Sequence, residues 1–90
     1  MIKSLLQKKQ IDALKSGDSQ TLEFLRYILS EIKNEEIEKR AELTNEETII
    51  VLDRVMKQLN DSIEAAKKGG RSELLTKYEA QKEILSSISK

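Results

Sequence analysis

The sequence predicts an all-α protein of about four amphipathic, antiparallel helices, packed as a compact bundle or as paired helical hairpins. Three observations predict it. Apolar residues recur at steps of three and four along most of the chain, the period of a helix that buries one face. Proline is absent and glycine occurs only at Gly17, Gly69 and Gly70, so the breaks are few and sharply placed. Between them, Thr44 stands three residues before Glu47, the spacing of a reciprocal capping box in which each side chain accepts the other residue's amide.

These breaks place helices at about 2–16, 19–41, 45–68 and 73–89 within one domain, 1–90. The first carries Ile2, Leu6, Ala13 and Leu14, with Leu5 and Ile11 beside them and Lys9 and Gln10 interrupting, so its stripe is the weakest. Gly17 suits the left-handed residue that ends a helix, and Asp18 can then cap the next one, placing a carboxylate at the positive end of its dipole. The second helix spaces Leu22, Leu25, Leu29 and Ile32 on one face, flanked by Phe24 and Ile28. The third gives the clearest signal, with Ile49, Leu52, Met56, Leu59, Ile63 and Ala66 in alternating steps and Val55 widening the seam. Lys67 and Lys68 suit its negative end, Gly69 and Gly70 stop it, and Ser72 can cap the fourth helix. There Leu74, Tyr78, Leu85 and Ile88 form the stripe, Leu75 and Ile84 lie adjacent, and Gln81 fills the gap. Loops this short cannot return to the far end of a helix, so sequence neighbours should pack antiparallel.

Ninety residues are one domain's worth of chain, near the lower end of lengths that close a core unaided. The longest apolar run, Ile49-Ile50-Val51-Leu52, is far short of the roughly 20 residues that cross a bilayer. The first residues show no apolar leader, and Asp12 and Asp18 argue against a transit peptide, so the sequence reads as soluble and cytoplasmic. Sixteen basic and sixteen acidic residues cancel, whereas dedicated nucleic-acid binders concentrate positive charge; any RNA contact should be local. Phe24, Tyr27 and Tyr78 read as too few and too scattered for a base-stacking platform, which argues against single-strand binding.

With no Cys and no His, the chain lacks thiolate nucleophiles, imidazole bases and the usual zinc ligands. Ser62, Ser72, Ser86, Ser87 and Ser89 therefore have no evident activator. Glu31 and Glu35 stand one turn apart as metal ligands do, but without a Glu-x-x-His partner they read as a solvated face interleaved with Lys33 and Lys39, so neither metal nor cofactor is assigned. Arg26 borders an apolar stripe and reads first as an ion-pair partner of Asp53, Asp61 or Glu64, and second as a ligand contact. Lys67 through Ser72 is the one local basic patch, first a turn and cap and second an anion contact; it is not a Walker loop, because it follows a helix and lacks the Gly-Lys-Ser/Thr ending.

The order of several segments carries a resemblance. The Asp18 turn, Leu25-Arg26, Lys33-Asn34-Glu35-Glu36-Ile37-Glu38, Glu42 through Glu47, Lys57-Gln58, Asp61-Ser62-Ile63-Glu64 and Gly70-Arg71 through Glu83-Ile84-Leu85 together resemble the YqeY-like proteins, over nearly the whole chain. These are similar to the C-terminal region of the B subunit of glutamine-dependent tRNA amidotransferase. The resemblance implies an all-helical N-terminal domain and an association with carbon-nitrogen ligase systems that use glutamine as amido donor. It implies an accessory that engages tRNA or protein, since the ATP and glutamine chemistry lies in other domains and subunits. Two departures stand out. After Ile84-Leu85 the family pattern runs through Tyr-Leu-Pro into a three-helix tail, the tRNA-contacting portion, where this sequence has Ser86-Ser87-Ile88-Ser89-Lys90. Basic residues precede the family's Asp-Ser step, where Leu59-Asn60 stand here.

The expectation is thus a noncatalytic helical module that supports an amidotransferase-type assembly through tRNA or a protein component of it. Arg26, Lys33, Asn34, Asp61, Ser62 and Arg71 are the expected polar contacts, with Lys67 and Lys68 as peripheral phosphate contacts. The rival expectation is a homo-oligomer or helix-docking module that uses surplus apolar surface at Ile37, Ile50 and Val51.

Overall fold

A computed structural model describes residues 2–88. Four helices, α1 (Ile2–Ser16), α2 (Ser19–Lys39), α3 (Asn45–Lys68) and α4 (Ser72–Ile88), account for nearly all of them. The most extensive interfaces join α1 to α2 and α3 to α4, and the two hairpins then pack on one another. The bundle measures 42 × 29 × 22 Å. Its long axis follows from α3, whose 24 residues span about 36 Å at the helical rise. No helix among the described residues is long and apolar enough to cross a membrane.

The turns follow the glycines. Gly17 and Gly70 take left-handed backbone at φ 75° and 65°. At each, the following amide reaches back to close the helix end, Asp18 N to the Ala13 carbonyl at 3.0 Å and Arg71 N to the Ala66 carbonyl at 3.0 Å. Asp18 accepts the Thr21 amide at 3.2 Å and its hydroxyl at 2.6 Å. These bonds hold the Asp18 carboxyl below its ordinary pKa. The expected capping box is present, with Glu47 N donating to Thr44 Oγ1 at 3.1 Å and Thr44 N to Glu47 Oε1 at 3.0 Å.

Several boundaries and faces differ from the expectation. α2 stops at Lys39 rather than 41, because Arg40 adopts left-handed backbone at φ 63° and its amide and that of Ala41 share the Glu36 carbonyl. Ser72 does not cap α4; it is the first helical residue, and the Arg71 carbonyl accepts the Leu75 amide. The expected end of α4 at 89 lies outside the described residues. Leu14, placed on the α1 stripe, is 63% exposed, and only Leu6 and Ala13 of that helix are buried. On α3 the buried line is Thr48, Val51, Leu52, Val55, Leu59, Ile63 and Ala66, while Ile49 sits outside it. Val51 is therefore core and not surplus surface, whereas Ile37 and Ile50 are each 65% exposed.

The core gathers Leu6 from α1, Leu25, Ile28 and Ile32 from α2, Leu52 from α3 and Leu85 from α4, all at most 1% exposed. Glu36 ties three segments around it, accepting from Lys3 Nζ at 3.0 and 3.2 Å and from the Leu43 amide at 3.0 Å. The Lys3 ammonium first, and then that amide, hold its pKa below the ordinary glutamate value.

Candidate functional site

α2 and α3 run antiparallel in a register that side chains make visible. Tyr27 faces Gln58, Glu31 and Glu35 face Arg54, and Lys39 faces Glu47. The Glu31 and Glu35 pair thus has a structural partner that sequence spacing did not suggest. The Arg54 guanidinium reaches Glu35 at 3.0 Å and Glu31 at 3.7 Å, while Lys39, expected among these acids, binds Glu47 instead. Lys39 and the Thr44 amide lower the Glu47 pKa. Each of the carboxyls shifted in this way is therefore occupied in holding the fold.

Arg26 forms none of the ion pairs among the described residues, so the expected bond to Asp53, Asp61 or Glu64 is not made. At one hundred degrees per residue, Arg26 falls on one stripe of α2 with Lys33 and Ile37, on the exposed side of the helix. Asn34 is exposed to one side of that stripe. On α3, Asp61 shares an exposed stripe with Ile50, Lys57 and Lys68. Lys67, Lys68 and Arg71 stand exposed on the α3–α4 turn, free of ion pairs among the described residues.

The eight expected contacts therefore divide into separate patches. Lys33 and Asn34 lie beside the middle of α3, about 20 Å along the axis from the basic turn at its end. Ser62 and Arg71 do share a recess, which Leu74 and Tyr78 also line. The Ser62 hydroxyl donates to the Gln58 carbonyl at 3.1 Å, a local bond that gives it no activated character.

That recess adjoins, across the shared Ser62 and Tyr78, a groove of about 410 Å³ between α2, α3 and α4. All three aromatic residues of the chain, Phe24, Tyr27 and Tyr78, line it, with Gln20, Gln58 and Gln81. Scattered in sequence, the aromatics are brought by the fold to one groove, Phe24 buried beneath it and Tyr27 exposed at its edge. Phe24, Val55 and Leu59, each at most 6% exposed, form the buried floor. Tyr27 is 44% exposed and donates its hydroxyl to Gln58 Oε1 at 3.2 Å. That bond fixes the Gln58 carboxamide with its NH₂ free to donate elsewhere. Glu23 and Lys77 are the charged residues of the groove. The sequence signal that could have found it is the antiparallel register, which sets Gln20 and Tyr27 against Gln58 and Ser62.

A family model described as Yqey-like protein matches residues 3–88. Comparison with curated proteins gives no match.

Proposed function

This chain belongs to the YqeY-like family, and on that footing we propose that it is a noncatalytic helical accessory of a tRNA-dependent amidotransferase-type system, acting by contact with tRNA. The observation that carries the tRNA contact is the α3–α4 turn. Lys67, Lys68 and Arg71 are exposed there without carboxylate partners among the described residues, so their charge is available to phosphate. Arg26 and Lys33, on one exposed stripe of α2, offer a second, weaker track. The noncatalytic reading rests on the residue set, which with no Cys and no His offers no thiolate nucleophile and no imidazole base. Asp18, Glu36 and Glu47, the carboxyls whose pKa values are lowered, are engaged in caps and ion pairs of the fold.

A gel shift of total tRNA across a salt series tests the reading. Three phosphate contacts give a slope of log K against log salt of about −2 to −3. Replacing Lys67, Lys68 and Arg71 together by Gln should flatten it. No binding at low salt, or a slope indifferent to these substitutions, refutes the contact. A second reading, self-association or docking of a partner helix, is favoured by Ile37 and Ile50 at 65% exposure. Sedimentation of the chain alone, and of an Ile37→Asp, Ile50→Asp variant, tests it.

A further inference from the structure

We infer that the groove between α2, α3 and α4 takes one unstacked nucleobase of a single-stranded RNA segment, with Arg71 beside it meeting the backbone. The inference rests on the tRNA reading above and names the part of the RNA that this surface fits.

The groove differs in kind from the rest of the surface. Charged residues make up 36% of the sequence, yet the groove gathers every aromatic residue and three of the five glutamines. Side-chain carboxamides present a donor and an acceptor side by side, the pattern that matches the edge of a base. Among the described residues the side chains of Gln20 and Gln81 make no hydrogen bond, and Gln58 makes one through its oxygen, so donors and acceptors remain for a ligand. Tyr27 supplies a half-exposed ring and Tyr78 a partly buried one, the faces on which a planar base can rest, above a base layer of Phe24, Val55 and Leu59.

Other occupants fit less well. A strongly charged peptide would need a run of opposite charge, and Glu23 and Lys77 nearly cancel. An amphipathic partner helix would bring several apolar anchors to a trough rimmed by amides. A base on a flexible strand satisfies both the apolar floor and the amide rim. The recess lined by Arg71 lies next to the groove across Ser62 and Tyr78, so one cation stands beside it where a neighbouring phosphate would pass.

Both tyrosines of the chain line this groove, and there is no tryptophan, so the tyrosine rings report its occupancy directly. The test is proton NMR of the full chain titrated with an unstructured RNA decamer, and with an abasic ribose-phosphate strand of equal length. Upfield movement of the Tyr27 and Tyr78 ring protons with the decamer, and affinity about tenfold weaker for the abasic strand, is expected from loss of one stacked base. Tyr27→Ala should weaken the decamer by a similar factor, Tyr27→Phe should not, and Gln81→Ala should weaken it with the rings intact. Far-UV circular dichroism establishes that each variant is folded. Equal affinity for both strands, or rings unmoved while tRNA is retarded in the gel, overturns the groove assignment and leaves the tRNA reading standing. Ring movement with the decamer while tRNA fails to bind supports the groove and refutes the tRNA reading. Rings that move with protein concentration alone assign the groove to a second copy and overturn the inference.

Discussion

Replacing Leu6 by alanine should destabilise the protein severely, while the same change at Leu14 should barely register. Both residues sit on α1 and both read as part of its apolar stripe, yet Leu6 is 0% exposed and Leu14 is 63% exposed. Three buried carbons at about 0.8 kcal/mol each give about 2.4 kcal/mol, and a partly collapsed cavity brings the cost at Leu6 to about 3 kcal/mol. At Leu14 the lost contact is small and alanine is the better helix former, so the change stays within about 0.5 kcal/mol. A domain of this length has roughly 5–13 kcal/mol in all, so Leu6→Ala removes a large fraction. Thermal and urea unfolding of the two variants, followed by circular dichroism at 222 nm, measures both. A Tm lower by about 12–24 °C for Leu6→Ala, with the urea slope unchanged, is expected. Similar effects at the two positions, or a loss below about 1 kcal/mol at Leu6, would refute the docking of α1 through Leu6.

The three left-handed residues make a matched set. Nothing lies within 4 Å of a Cβ built at Gly17 or Gly70, so alanine there costs only the backbone penalty, about 1 kcal/mol each, whereas Arg40→Gly should stabilise by about 0.5–1 kcal/mol in urea titrations. Thr48 is 3% exposed and its hydroxyl donates at 2.8 Å to the Thr44 carbonyl, which already accepts the Thr48 amide at 2.9 Å. Thr48→Val should therefore change stability by less than about 0.5 kcal/mol, while Thr48→Ser, which removes the buried methyl, costs about 1 kcal/mol. Acid should weaken the fold, because Glu36 and Glu47 have pKa values lowered on folding. A lowered carboxyl binds its proton less tightly folded than unfolded, so its contribution is complete above the ordinary glutamate value of 4.5 and is lost as pH falls through the lower folded value. Glu36→Gln should flatten the acid limb of a Tm-against-pH curve.

What the sequence made legible was whatever is encoded locally. Gly17, Gly70 and the Thr44–Glu47 box mark turns by chemistry confined to a few residues, and the structure places them there. The end of α2 was misplaced because Arg40 carries a left-handed residue's role without a glycine's signature. The outer members of stripes, Leu14 and Ile49, and the inward turn of Val51 were misread because several phases of a broad apolar face fit the same spacing. Packing against a specific neighbour chooses among them, and a single helix does not contain that neighbour. The same limit governs the surface. Arg54 finds Glu31 and Glu35, and Phe24, Tyr27 and Tyr78 find one groove, only through the register of separate helices. Arg26, which hydrophobic spacing placed beside an acid, faces outward instead.

The two hairpins also set the pace at which this protein assembles. The more extensive interfaces join helices adjacent in sequence, α1 with α2 and α3 with α4. Residues 17–18 and 69–71 close them, and loop closure costs least when few residues intervene. Helical domains built from such local contacts fold in microseconds to milliseconds, and a chain without proline has no imide isomer to wait for. A ribosome adds about 5–20 residues per second, so folding of the whole domain is fast compared with the addition of one amino acid. Assembly in the cell is then timed by translation, because the core takes residues from all four helices and closes only once α4 has emerged.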